Sequence, residues 1–192
     1  MPNINNFKNQ FAGGSRANRF EVTGNFPHGG QLTTFHIRST IIPQITSTTM
    51  EYSYFGRKYY YPGEKQYSTW SFNVLDDNPK NASAKENLWG KFHKWQNKIN
   101  EHNTNRSSYN TSSNSADYKA MSWKIKHYNI NGEDSGTNSV LKEFIMHGCW
   151  PTSVEPMPLN MSSNNVLNSF NVIMVFDYIE LKGHGTDITK RT

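Results

Sequence analysis

A mainly β fold, a sandwich or barrel of about eight strands with one flanking α-helix, is what this 192-residue sequence predicts. Three observations carry that expectation. Short stretches alternate apolar and polar side chains, the period of a half-buried strand. Gly, Pro, Asn and Asp clusters punctuate them at turn positions. A single segment repeats its apolar residues at helical spacing. No repeat of about 20–50 residues is visible, which argues against propellers and solenoids. The length suits one domain, able to bury about 70% of its unfolded surface. It divides into an N-terminal arm (1–18), a β domain (19–182) and a C-terminal tail (183–192).

Residues 1–18 are polar, carry Gly13-Gly14-Ser15, and have no periodicity, the pattern of a frayed terminus. In 19–26, Phe20, Val22 and Phe26 alternate with Arg19, Glu21, Thr23 and Asn25, giving the first strand. Pro27-His28-Gly29-Gly30 turns it. His-Gly-Gly also resembles an oxyanion-hole loop, but no nucleophile elbow accompanies it, and a turn is the better reading. Residues 35–42 form a second strand ended by Pro43.

Alternation resumes at 50–54, is interrupted by Phe55-Gly56-Arg57, and resumes again at 58–61, a hairpin. Pro62-Gly63 is expected to stop the run. Tyr52, Tyr54, Phe55, Tyr59, Tyr60 and Tyr61 fall within ten positions of a chain that is 14% aromatic overall. Tyr60 points opposite to Tyr59 and Tyr61, so aromatic side chains reach both faces. One face packing on the core leaves the other either as a Tyr-rich surface or as one covered by another protein. The second is favoured, because buried interfaces are enriched in aromatic and Arg anchors.

Ser68, Trp70, Phe72 and Val74 share one face of the next strand, with Thr69, Ser71 and Asn73 on the other. Asp76-Asp77-Asn78-Pro79 marks a strand-to-helix corner. Two adjacent carboxylates suit an acid/base pair, but capping the following helix explains them better. The helix spans about 83–100, with Ser83 and Glu86 at capping-box spacing. Leu88, Phe92, Trp95 and Ile99 line its core face, and Lys85, Lys91, Lys94 and Lys98 its outer side. Residues 102–117 have almost no apolar side chain and read as a long mobile loop. Their Asn-x-Ser/Thr triplets are expected by chance, so no glycosylation is assigned.

Met121, Trp123 and Ile125 alternate in a further strand. Residues 129–138 are turn-rich, with Asn131-Gly132 favouring a tight turn. Residues 140–147 form its partner, which Trp150-Pro151 is expected to leave. Pro156 and Pro158 keep the next connection extended. Residues 166–181 close the fold: Phe170, Val172, Met174, Phe176 and Tyr178 on one face, Ile173 and Val175 on the other. An apolar contribution to both faces suits a central strand.

An ordered set of short motifs resembles a known family. Gly56-Arg57, Tyr61-Pro62-Gly63-Glu64, Ser68-Thr69-Trp70, Asp77, the helix carrying Trp95, Gly148-Cys149-Trp150-Pro151-Thr152 and the strand at 170–178 look like the tail tube proteins of contractile-tailed, T4-like bacteriophages. The resemblance covers residues 16–182. It implies the tail-tube fold, related to that of the type VI secretion tube, with six copies closing a ring and rings stacking into a tube that carries the genome. It also implies an arm ordered on assembly, and partners in the sheath, the baseplate and the tube terminator. A baseplate tube initiator or a terminator of the same fold fits too.

Charged residues make up only 18%, yet the mean hydropathy is −0.79, so the polarity comes from Asn, Ser and Thr. The net charge of +5 is spread over scattered lysines, a solvated surface more than a binding patch. Cys149 is alone, so no intrachain disulfide forms, as suits a reducing site of assembly. The start lacks signal-peptide regions, and the longest apolar run, 172–176, is far short of the ~18 residues of a membrane helix. The expectation is a soluble protein made in a cytoplasm, without contact to a membrane, and the resemblance implies that it is assembled in the host cytoplasm and carried in the virion.

The seven histidines show no HExxH and no i,i+4 pair, and Walker A and Rossmann glycines are absent. No catalytic residue, metal or cofactor is expected. A carbohydrate-binding β-sandwich with a tyrosine platform is the alternative from another class, and a small hydrolase a third. For a tube subunit, Tyr52, Tyr54, Phe55, Arg57, Tyr59 and Tyr61 are the candidate subunit interface. A lumen that passes double-stranded DNA without holding it needs an uncharged or acidic wall, since each neutralised phosphate adds affinity. Thr69, Ser71 and Asn73, then Glu51 and Ser53, are the candidates for it.

Overall fold

The computed structural model describes residues 3–10, 14–27, 31–32, 36–77, 87–106, 118–129, 140–183 and 186–187. In order these form α1 (Ile4–Gln10), β1 (Phe20–Asn25), β2 (Gln31–Leu32), β3 (Ile37–Thr40), β4 (Ile45–Tyr54), β5 (Arg57–Tyr67), β6 (Trp70–Leu75), α2 (Leu88–Ile99), β7 (Ala120–Tyr128), β8 (Val140–Val154), β9 (Ser169–Val175), β10 (Tyr178–Gly183) and β11 (Thr186–Asp187). All strand pairs among the described residues are antiparallel. The expected mainly β class holds.

Two sheets share one long strand. The first half of β8 pairs with β7 and β10, in a sheet ordered β2-β1-β7-β8-β10-β11. Its second half pairs with β9, in a sheet ordered β8-β9-β6-β3. Trp150-Pro151 therefore does not end the strand as expected. Gly148, at φ +67, bends it, and Trp150 and Pro151 continue opposite Val175 and Met174. The final strand is correspondingly two strands, broken at Phe176-Asp177, where the Asp177 amide donates to the His147 carbonyl at 2.8 Å.

The core lies between the sheets under α2. Trp70, Phe72 and Phe170 from one sheet, Trp123 from the other and Phe92 and Trp95 from the helix are all buried, with Phe26 edge-on to Phe92, Trp95 and Trp123 at centroid distances of 5.0, 5.8 and 5.9 Å. Burying each such ring contributes about 1.5–3 kcal/mol. The Trp123 indole lies directly on Gly24, where a β-carbon would meet its Cδ2 at 2.2 Å. The expected helix face holds for Leu88, Phe92 and Trp95, while Ile99 at the last turn is half-buried. The described helix opens at Leu88, capped by the Asn87 side chain, which accepts from the Gly90 amide at 2.9 Å. Ser83, Glu86 and Lys85 lie outside the described residues, as does Asn131-Gly132.

Further boundaries move. Pro62-Gly63 does not stop the hairpin: β5 runs through both. A register shift between Ser47 and Thr49 absorbs the irregularity, and Gly63 is held against Thr48, whose Oγ1 a β-carbon would meet at 2.4 Å. The arm contains α1, and the tail begins as strand, since Thr186 pairs back on Gly183. Of the loop at 102–117, residues 102–106 are a turn closed by the Asn105 amide on the Glu101 carbonyl at 2.9 Å, and the rest lies outside the described residues.

Candidate assembly surfaces

β4 and β5 pair only with each other among the described strands, as a two-stranded ribbon. It grows out of the second sheet. β3 and β6 are neighbours there, the Ile41 amide donates to the Ser71 carbonyl, and the Ser68 amide donates to the Gln44 carbonyl at 3.0 Å, so the β3–β6 pair continues directly into β4–β5. At the far end Phe55 and Gly56 both have positive φ, 48° and 73°, the signature of a two-residue hairpin turn.

The register sorts the ribbon's side chains. Tyr52 faces Tyr59, Met50 faces Tyr61 and Tyr54 faces Arg57, and directly opposed residues share a face. The expected interface residues thus form one surface, with Phe55 at the tip edge-on to Tyr54 at 4.5 Å. Glu51, Ser53, Lys58 and Tyr60 occupy the other face, where Lys58 Nζ reaches Glu51 at 2.7 Å. Neither face packs on the core, contrary to the expectation that one would. Tyr52, Tyr54, Tyr59 and Tyr61 are all about half exposed and Phe55 is 88% exposed.

The second sheet turns a polar face away from the core. Trp70, Phe72 and Val74 of β6 and Phe170, Val172 and Met174 of β9 are buried, so by alternation Ser71 and Asn73 share the outer face with Asn171 and Ile173. Asn73 Nδ2 donates to Asn171 Oδ1 at 2.7 Å, and Asn171 Nδ2 to Glu155 Oε2 at 2.8 Å. Thr69 is exposed in the link from ribbon to β6. Ser71 and Asn73 therefore belong to a face that the sequence shows only in part. Asn171 and Ile173 join it through register, which a single strand's pattern does not contain. Glu51 and Ser53 lie apart from it, on the ribbon.

The first sheet differs. Glu21, Lys126, Glu143 and Lys182 follow one another across β1, β7, β8 and β10, an alternating row of charge. Lys94 on α2 is exposed and Lys91 and Lys98 half-buried. Trp89 lies tilted against His93, at a centroid distance of 4.0 Å, and the His93 pKa is lowered by burial and by His102.

At the strand-to-helix corner Asp77 accepts from the Leu88 amide at 3.0 Å, as expected of a capping carboxylate. Asp76 does not share that role: its buried Oδ1 has no partner among the described residues, and burial together with the Asp77 charge raises its pKa. Cys149 is fully buried, and burial pushes its thiol up to about 12, so it is unreactive at neutral pH. Among the described residues no three of His, Cys, Asp and Glu come together as metal ligands, and no helix is long and apolar enough to cross a membrane.

Comparison with known proteins assigns these surfaces a context. A profile described as phage tail tube protein matches residues 5–181. The tail tube protein gp19 of Enterobacteria phage T4 is 28% identical over 166 residues, covering 86% of this chain and 91% of that protein. The fold also resembles a chain of the sheath–tube complex of an extracellular contractile injection system in its extended state, at TM-score 0.60 and 16% identity over 92% of this chain and 97% of that one. The tube-terminating cap of the anti-feeding prophage is similar, at TM-score 0.60 and 19% identity over 88% and 91%.

Proposed function

The chain belongs to the phage tail tube protein family and is a structural subunit of a phage tail, and from that premise we propose how its surfaces build the tube. Copies close into hexameric rings and the rings stack, leaving a lumen through which the double-stranded genome passes during ejection. The observation that carries this reading is the ribbon: an aromatic face with Arg57 that is left exposed and packs on no described part of its own subunit. Contiguous exposed apolar faces mark interaction surfaces, and aromatic and Arg side chains are enriched in those that become buried.

Ring closure has its own support. The second sheet ends in two edges, β3 on one side and residues 150–154 of β8 on the other. Pairing one copy's β3 with the next copy's β8 edge is a heterologous contact that closes by rotation and removes both edges. The polar face with Ser71, Asn73 and Asn171 then lines the lumen, Thr69 at its margin, and the first sheet with its row of charge and α2 lie outside. Glu51 and Ser53 extend that wall along the ribbon. Lys91, Lys94 and Lys98 meet a sheath through complementary charge. Baseplate and terminator proteins close the tube's ends, and assembly takes place in the host cytoplasm. The relatives are structural proteins, and the chain acts as one, not as an enzyme, with no cofactor.

Replacing Tyr59 and Tyr61 by Ser tests the reading. Truncating a buried interface anchor costs about 2 kcal/mol or more, repeated at every copy of a junction. Negative-stain microscopy of wild type should show tubes of uniform width, and the variant folded protein without tubes. Normal tubes from the variant would defeat this reading.

A further inference from the structure

The loop joining β8 to β9 exposes a run of apolar side chains that neither the core nor the ribbon uses. Leu159, Met161, Val166 and Leu167 are 80%, 104%, 68% and 72% exposed. The loop is not loosely attached. The Glu155 amide donates to the Asn171 carbonyl at 2.8 Å and the Asp76 amide to the Asn168 carbonyl at 2.9 Å, which pins both its ends to the second sheet.

Its position is set by the same register that sets the ribbon's. β6 begins at Trp70, beside the ribbon, and ends at Leu75, opposite Ser169 and beside the loop. Ile37 of β3 pairs with Val74 at the loop end, and the chain leaves for the ribbon past Thr40 at the other. Ribbon and loop thus stand at opposite ends of the same strands. The ten residues of β4 extend about 34 Å, against about 20 Å for the six of β6, so the ribbon reaches well past its own sheet.

We propose that the aromatic face of the ribbon seats on the 159–167 loop of a second copy of this chain, stacked head to tail along the strand direction. The proposal rests on the reading of the chain as a tube subunit and names what the ribbon meets. Side chains of this size bury about 150–250 Å² when fully covered. Complete mutual covering of the exposed side chains on both surfaces would bury on the order of 1,200 Å², the lower end of a specific interface. The charges agree. Arg57 lies on the aromatic face, and Lys58 is paired with Glu51 on the other. The loop, residues 156–168, contains no Lys or Arg, and Asp76 and Glu155 flank it. Met161 adds a sulfur suited to a ring edge. Because ribbon and loop are different patches at opposite ends, the contact is heterologous and does not close, which is the geometry of a filament.

The experiment is complementation between two variants that are each expected to fail alone. Leu159→Ser/Met161→Ser removes the loop surface and Tyr59→Ser/Tyr61→Ser the ribbon surface. All four side chains are exposed, so both proteins should melt as wild type does. Each should give no stacks in negative stain or sedimentation. Mixed, they retain one intact ribbon and one intact loop, and should form stacks of one junction that grow no further. Normal tubes from the loop variant while the ribbon variant fails would overturn the loop's role and leave the tube reading standing. A mixture that forms no joint stacks would overturn it as well. Normal tubes from both variants would end both.

Discussion

Gly148 and Asp177 occupy each other's space: a β-carbon on Gly148 would lie 2.1 Å from Asp177 Oδ2. The carboxylate is held there by Lys119 Nζ, 2.7 and 2.8 Å from its two oxygens. Here β8 crosses between the sheets and the last strand breaks into β9 and β10, so one glycine and one ion pair set the corner of the sandwich. Gly148→Ala forces a left-handed conformation costing about 1–2 kcal/mol and displaces the carboxylate from Lys119. A fall of several degrees in Tm is expected, at about 2–4 °C per kcal/mol for a chain of this size. Asp177→Ala clears the space, so the double variant should lose less than the two single losses added. Additive losses in thermal melts would show that the two residues are not coupled.

Leu88, Phe92 and Trp95 tie the helix to the core. Trp95 is fully buried between Phe92 and Trp123, and its indole nitrogen donates to the Tyr118 carbonyl. Trp95→Ala should cost about 3–5 kcal/mol, the range for removing a large buried ring. Denaturant unfolding followed by the remaining tryptophans measures it. An unchanged midpoint would mean that α2 contributes nothing to the subunit's stability.

Those helix and strand faces were legible because burial imposes a local period. Trp70, Phe72 and Val74 at spacing two and Leu88, Phe92 and Trp95 at helical spacing read directly as core. What depends on distant partners was not. Gly148 bends β8 because of what it faces at Asp177, a residue far along the chain, so Trp150-Pro151 looked like an exit. Pro62-Gly63 carries the chemistry of a turn, yet a register shift opposite, at Ser47–Thr49, keeps both in the strand. The hairpin's aromatic load was plain, but its concentration on one face follows from which residues oppose each other. That in turn follows from the two-residue turn at Phe55-Gly56. The apolar residues of the 159–167 loop carry no period, and proline spacing alone placed them in an extended connection.

Asp76 gives the corner before α2 a pH dependence. Its pKa is raised, by burial first and by the Asp77 charge second. The folded state therefore prefers the protonated form, and stability present below the ordinary carboxylate pKa of about 3.8 is lost as pH rises through the raised one. Asp76→Asn keeps the shape without the charge and should melt at or above wild type at pH 7. The difference should shrink toward pH 3, where wild type is protonated too. A variant less stable than wild type at pH 7 would contradict the assigned cause.

The outer face of the second sheet makes a prediction about passage of DNA. If Ser71 lines the lumen with Thr69 at its margin, the wall there presents hydroxyls and amides, and a duplex slides past with no counterions released. Thr69→Lys/Ser71→Lys adds two cations per copy at that wall without touching the core, since Trp70 and Phe72 point the other way. Tubes should still form. They should now retain short double-stranded DNA, with affinity falling steeply with salt at a log–log slope of about −0.9 per phosphate neutralised. The same two lysines placed on the outer face of α2, at Asn97 and Gln96, give tubes of equal charge whose cations face away from the lumen. Retention measured inside the tube should separate the two variants. Equal retention by both, or none by the lumen variant, would remove Thr69 and Ser71 from the wall.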